Sequence, residues 1–310
     1  MGRDRTEIRT PAHARGRTFR AAADVGPAVT ASPIVCVNGV VGPADTLAIS
    51  PLDHGLLVGD GVFETLRVYG GVPFAWRRHL ERLERSAAGL GLGVPAIAML
   101  REQSDEIIAA NALVDARLRI TITGGPAPLG SERALVPSTV VVAASALTPW
   151  PPTADVVTVP WPRNERGATA GLKTISYADN VRALAYAHEH GAGEAIFANT
   201  RDELCEATGS NVFVVTAGEL QTPPADSGCL LGVTRALVLE LAAAEGIPHR
   251  ETALPFTAIR DGDEAFLSST TREVQSIAHV DGTALPQAPG PVTEALRTAF
   301  TALIARDLDP

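Results

Sequence analysis

The chain has 310 residues, 45% hydrophobic and 20% charged, a balance that fits a globular protein with a sizeable core and room for two domains or one large α/β unit. Its 26 basic and 35 acidic residues leave a net charge of −9, which argues against nucleic acid or anionic membrane as a partner, because counterion release needs clustered positive charge. Three cysteines, Cys36, Cys205 and Cys229, have neither CxxC nor metal-ligand spacing and fit the reduced thiols of a cytoplasmic protein.

Residues 1–33 carry six arginines without an apolar run or a period, so a disordered tail, or an artefact of start-site assignment, is expected there. No stretch of the chain reaches the ~18 apolar residues of a membrane span. Residues 34–37 and 40–41 flank Asn38-Gly39, a pair suited to a tight primed turn, and predict a hairpin. A second hairpin is expected from residues 62–69 and 72–76 around Gly70-Gly71. Helix 77–92 follows, with Leu80, Leu83, Ala87 and Leu90 on one stripe, then helix 95–111 and strands 117–123 and 139–146. Prolines around Trp150 interrupt both periods and mark residues 149–155 as a linker.

Beyond it the pattern predicts strand 156–161, helix 180–190, strand 194–199, a hairpin of 211–215 and 219–222, helix 234–245, strand 265–268 and helix 292–306. Strands and helices mix without strict βαβ alternation. The fold class expected is α+β, with largely antiparallel sheets in a domain of residues 34–148 and another of 156–310.

Lys173 is the only lysine; the other 25 basic residues are arginines. A guanidinium stays charged beyond ~pH 12, whereas a lysine amine shifts its pKa readily and forms Schiff bases. One retained lysine therefore points to an amine that must become neutral, against the plainer reading of a chance surface residue. His188-Glu189-His190 lacks the i, i+4 spacing of a zinc helix, so no metal site is expected.

Gly228 to Arg235 (GCLLGVTR) leads into a helix, and such a start offers free N–H groups and a positive dipole end to an anion. Thr234 would either cap that helix or donate its hydroxyl. Ser268-Ser269-Thr270-Thr271 sets four hydroxyls at a strand end, as phosphate donors or as a plain turn. Glu206 would hold a heterocyclic nitrogen protonated or cap a turn. Arg82, in HLERLERSA (His79–Ala87), reads on pattern alone as part of a solvated helix face with pairs such as Glu81–Arg85. Arg117 and Arg119 share the non-core face of a strand, as a carboxylate clamp or as solvated side chains.

Gly59-Asp60-Gly61-Val62-Phe63-Glu64-Thr65, the His79–Ala87 pattern, GLKTISYADN around Lys173, Glu206 to Asn211, Gly232-Val233-Thr234-Arg235 and Phe266 to Val274 together resemble the fold-type IV pyridoxal-phosphate enzymes, the class IV aminotransferase superfamily. The resemblance covers residues 34–285. It implies a small N-terminal α/β domain, a larger C-terminal domain, pyridoxal 5'-phosphate in the cleft between them, and a homodimer. It also implies that Lys173 holds the cofactor through a Schiff base and acts as general base, and that Glu206 faces the pyridine nitrogen. Arg82, Val233, Thr234 and Thr270 would bind the phosphate, while Phe63, Arg117 and Arg119 would meet an amino substrate bearing a carboxylate. Many family members place a tyrosine or asparagine at set distances after the lysine; Tyr177 and Asn180, at +4 and +7, leave the partner of the cofactor's phenolic oxygen unassigned. GDGVFETLR, SYADN and GCLLGVTR look most like 4-amino-4-deoxychorismate lyases, which release pyruvate to leave the folate precursor p-aminobenzoate. Aminotransferases of D-amino acids and of branched-chain amino acids share nearly all these motifs.

Overall fold

Two sheets carry the chain in a computed structural model that describes residues 32–310; the tail expected over 1–33 lies outside the described residues except for its last two positions. The first sheet holds β1 (Ile34–Val37), β2 (Val40–Pro43), β3 (Gly61–Tyr69), β4 (Val72–Pro73), β5 (Ala116–Thr123) and β6 (Thr139–Ala146). They run β2-β1-β6-β5-β3-β4 and pair antiparallel throughout. Asn38 and Gly39 have φ of 50° and 84°, the left-handed pair that a primed turn requires.

Helices α1 (His54–Val58), α2 (Trp76–Leu90) and α3 (Ile97–Ala110) lie between these strands in sequence. Leu80, Leu83 and Ala87 of α2 form one core with Val62, Leu66, Leu118 and Ile120 of the sheet. Residues 72–76 do not all extend as expected. Only Val72–Pro73 pairs; Ala75 then turns at φ 52° and puts Trp76 into the first turn of α2, on the same buried stripe.

The second sheet takes β7 (Thr153–Thr158), β8 (Glu194–Ala198), β9 (Leu204–Ala207), β10 (Asn211–Thr216), β11 (Glu219–Thr222), β12 (His249–Glu251), β13 (Glu264–Ser269), β14 (Glu273–Val280) and β15 (Thr283–Ala284). Its order is β12-β11-β10-β13-β14-β7-β8-β9, with β15 on β14. Its junctions are mostly antiparallel, as expected, while β14/β7, β7/β8 and β11/β12 are parallel. Helix α4 (Ala178–Glu189) lies between β7 and β8 and makes the long crossover that these two parallel neighbours need.

β7 also opens three residues inside the expected linker and stops at Thr158. Gln275 Nε2 donates to the carbonyls of Pro151 and Thr153 at 2.7 and 3.4 Å, while Pro160 and Pro162 have no N–H to extend the ladder. Helices α5 (Val233–Ala244), α6 (Ala258–Asp261) and α7 (Pro291–Arg306) complete the chain, and Leu237, Val238, Leu296 and Phe300 of α5 and α7 pack with Phe213 and Phe266 of the sheet. Residues 33–310 form one compact unit. Among the described residues, no helix is long and apolar enough to cross a membrane, and no cluster of His, Cys, Asp or Glu is placed to hold a metal.

Candidate active site

Lys173 is positioned through its backbone. Phe63 N donates to Lys173 O at 3.1 Å, Ile175 N donates to Gly61 O at 2.9 Å, and Lys173 N donates to Ser86 Oγ at 3.1 Å, so the segment lies along β3 as an extra edge. Gly61 permits this approach, since a Cβ there would lie 2.7 Å from Ile122 O and 2.8 Å from Ile175 Cδ1. The side chain then enters a cavity of about 470 Å³ lined by residues of both sheets.

Inside, Lys173 Nζ sits 4.3 Å from the centre of the Phe63 ring, which also carries the Arg119 guanidinium at 3.7 Å and the edge of Tyr177 at 5.1 Å. Burial pulls the amine down to about 8, helped by Arg82 and Arg119 and opposed by Glu64 and Glu206. A neutral amine is therefore accessible close to neutral pH. The chance-surface reading of Lys173 does not hold.

One end of the cavity suits an anion. Gly232 precedes α5 with no side-chain cap, so the first turn is free to donate; a Cβ on Gly232 would lie 2.1 Å from Asn211 Oδ1. Val233 and Thr234 form that turn and line the cavity, with Thr234 inside the helix and not at its cap. Ser268, Ser269, Thr270 and Thr271 line the same end, where the turn between β13 and β14 presents them. Ser268 Oγ and Ser210 Oγ are buried there without any hydrogen-bond partner. Two unsatisfied hydroxyls beside an uncapped helix start fit a phosphate group.

Arg82 joins this end and corrects its reading as part of a solvated face. It is buried, donates to Leu231 O at 3.3 Å, and is gripped by Glu64 through Nε and Nη2 at 2.7 and 2.8 Å. Glu81, on the outer face, pairs with Arg77 at 3.2 Å in place of the expected Arg85.

In the same cavity Glu206 Oε2 accepts from Leu230 N at 3.0 Å and Oε1 lies 3.2 Å from Arg163 Nε. Burial raises the Glu206 carboxyl, while Arg163 and the Leu230 N–H pull it back. Arg163 also donates to Asn180 Oδ1 at 3.0 Å, and Asn180 in turn bonds the Thr208 carbonyl, so Asn180 serves the Glu206 side of the site. Tyr177 stands in the cavity with its phenol pushed up to about 12 by burial and by Glu206. Arg117 and Arg119 both line the wall, on the outer face of β5 as expected. No carboxylate among the described residues pairs with either; Arg119 Nε donates to Thr121 Oγ1 at 3.1 Å.

The structure thus brings Lys173, Arg82, Glu206, Val233, Thr234, Thr270, Phe63, Arg117 and Arg119 to one cavity. Reasoning from the sequence missed Glu64 and Arg163. The signal for Glu64 was an acid at a core-facing position of β3, and for Arg163 an arginine between prolines and a glycine-rich loop.

The pattern of the amino-transferase class IV family matches residues 61–280. A D-alanine aminotransferase of Bacillus licheniformis is 32% identical over 271 residues, covering 86% of this chain and 95% of its own. Among solved structures, a T.th. branched-chain amino acid aminotransferase complexed with N-(5'-phosphopyridoxyl)-L-glutamate matches with a TM-score of 0.82 at 26% identity, over 89% of this chain and 95% of its own. A Legionella pneumophila structure described provisionally as a 4-amino-4-deoxychorismate lyase shares the fold with a TM-score of 0.79 at 24% identity, over 84% of this chain and 96% of its own. This chain belongs to the class IV aminotransferase family. It is an enzyme of that class, and the family depends on pyridoxal phosphate.

Proposed function

We propose that this protein binds pyridoxal 5'-phosphate and uses Lys173 to move a proton at the amine-bearing carbon of a substrate with two carboxylates. The observation that carries this reading is the single lysine, its amine lowered to about 8, in one cavity with Glu206 and the uncapped start of α5. Arg82, the N–H groups of Val233 and Thr234, and the Thr270 hydroxyl would hold the phosphate. Glu206 would face the ring nitrogen and Lys173 the aldehyde. When bound, the cofactor supplies an electron-withdrawing ring that takes up the electron pair left on the substrate carbon.

The remaining work falls to the protein. Lys173 Nζ accepts the proton as general base, and a pKa near the working pH favours both taking it up and giving it back. The Phe63 ring lies against the amine, with the Tyr177 ring edge-on to it. Arg117 and Arg119, lacking acidic partners, would each receive a carboxylate.

The substrate that fits two such arginines, together with the GDGVFETLR, SYADN and GCLLGVTR stretches, is 4-amino-4-deoxychorismate, with release of pyruvate to give p-aminobenzoate. Transamination of D-amino acids or branched-chain amino acids is the second reading, favoured by the 32% identity to a D-alanine aminotransferase. Assembly as a homodimer belongs to the same proposal, supported by the exposed apolar side chains Leu52, Leu56 and Leu129 around α1 and the 124–137 loop.

Purified protein given aminodeoxychorismate and no keto acid decides between the reactions. Equimolar p-aminobenzoate and pyruvate support the lyase. Turnover that demands both an amino donor and a keto acceptor defeats it in favour of transamination.

A further inference from the structure

The hydroxyl-bearing turn between β13 and β14 closes with Ser269 opposite Glu273, leaving three residues in the loop. A left-handed residue at the closing position of a turn is most easily glycine, which has no Cβ to clash. Here that position is Glu273, at φ 56°. A side chain in this region is strained, so its presence calls for a use.

The carboxylate leaves its own sheet. Tyr69 Oη donates to Glu273 Oε1 at 2.7 Å and Arg67 Nη1 lies 3.9 Å away, both residues belonging to β3 of the first sheet. Tyr69 is itself held, its ring packed edge-on against Phe74 at 5.6 Å and covered by the Arg67 guanidinium at 4.9 Å. On the other flank of the turn, Arg272 stacks on Trp150 at 3.7 Å, and Trp150 Nε1 donates to Thr271 Oγ1 at 3.4 Å. Trp150 and Arg272 fix that flank from within the second half of the molecule and the segment leading into it. Glu273 and Tyr69 reach across from one sheet to the other.

We infer that Glu273 is a positioning residue which, through Tyr69, locks the Ser268–Thr271 wall against the first sheet and so sets the affinity of the cavity for a phosphate-bearing ligand. This rests on the proposed pyridoxal phosphate site. The pair touches no ligand itself. It decides whether the hydroxyls of the second sheet and Arg82 of the first stand on the same phosphate at the same time.

The test uses the full chain freed of bound small molecules and titrated with pyridoxal phosphate and, separately, with pyridoxal. Tyr69→Phe, which keeps the ring, and Glu273→Ala should each weaken pyridoxal phosphate roughly tenfold or more, the loss expected for a hydrogen bond to a charged group. Pyridoxal affinity should change by less than about twofold, since the lysine and ring contacts are left in place. Glu273→Gln keeps an acceptor for Tyr69 and should restore most of the phosphate preference. A merely structural role would weaken both ligands alike, and that result, or unchanged pyridoxal phosphate binding in Tyr69→Phe, overturns the inference. Wild-type protein that binds neither ligand would instead overturn the proposed function, and the inference with it.

Discussion

Glu64 grips Arg82 with both carboxylate oxygens, at 2.7 and 2.8 Å, and the oxygen shared with Arg82 Nη2 also meets His79 Nδ1 at 2.7 Å, with all three side chains shielded from solvent. Burial alone would raise the Glu64 carboxyl, but Arg82 and His79 outweigh it and hold the group well below the ordinary carboxylate range. Removing one member leaves the others buried and uncompensated, which costs about 3–5 kcal/mol. Glu64→Ala is expected to lose that much in denaturant unfolding of the cofactor-free protein, and a loss under ~1 kcal/mol would contradict the pairing.

The same cluster fixes the sign of a pH effect. A carboxyl whose pKa is lowered on folding contributes stability that is complete above its unfolded value of 4.5 and is lost as pH falls below it. His79 is lowered by burial from 6.5, so it too favours the folded state less as pH falls through that value. Unfolding free energy should therefore drop on acidification, first below about pH 6.5 and again below about 4.5, and Glu64→Gln should flatten the lower step. Equal steepness below pH 4.5 in wild type and variant would rule Glu64 out as its source.

A chain with one lysine allows a clean measurement. Reductive methylation with 13C-formaldehyde labels Lys173 and the N-terminal amine alone, and the Lys173 signal should titrate near 8. Glu206 raises this amine, so Glu206→Gln should move the midpoint downward; Arg119 lowers it, so Arg119→Leu should move it upward. A midpoint near 10.5 in the wild type would mean that the amine is solvated.

How far the site could be read in advance follows from what each residue depends on. Lys173 and the Gly232 helix start are local signals, one a singular residue type and the other a loop-to-helix pattern, and both line the one cavity. Arg82 could not be told from Arg85 by helical period, because what buries it is Glu64 on a different element, 18 residues upstream. Arg163 pairs with Glu206 across the crossover, and its place between prolines and a glycine-rich loop says nothing of that distant partner. The strand β14 escaped for a different reason: Gln275 and Ser276 are buried polar residues in its middle, so neither an apolar run nor an alternation is visible. With β14 hidden, its parallel pairing with β7 is not legible in the sequence either.

Arg117 and Arg119 stand side by side on one face of β5, with Thr65 of β3 opposite Arg119, and all three line the cavity. Two neighbouring cations without a counter-charge repel each other until an anion arrives. Arg119 is the nearer to Lys173, sharing the Phe63 ring with it. Arg119→Leu is expected to lower kcat/KM by roughly 10²-fold or more, the order set by ~3 kcal/mol for a lost charge-assisted contact. Arg117→Leu should act mainly on KM, and only for substrates with a second carboxylate. Equal effects of Arg117→Leu on mono- and dicarboxylate substrates would remove it from substrate recognition.

The helix that carries His79 and Arg82 is capped from the far end of the sequence. Ala75, at its N-cap, has no side chain to offer, and instead Asp309 Oδ1 accepts from Arg77 N at 3.0 Å while Leu308 O accepts from Ala75 N at 2.7 Å. A carboxylate at this position satisfies an orphan donor and meets the positive end of the helix dipole. Asp309→Ala should cost about 1 kcal/mol, read as a fall of roughly 2 °C in Tm, and Asp309→Asn should cost less because it keeps the acceptor. The Arg78–Glu240 pair, at 2.6 and 2.9 Å, remains to hold α2 against α5, so the segment should loosen and not detach. Affinity for a phosphate ligand should hardly move, because Arg82 is aimed by Glu64 from within the core and not by the first turn of its helix. A loss of phosphate affinity as large as that of Glu64→Ala would show that the cap, and not the buried carboxylate, sets the direction of Arg82.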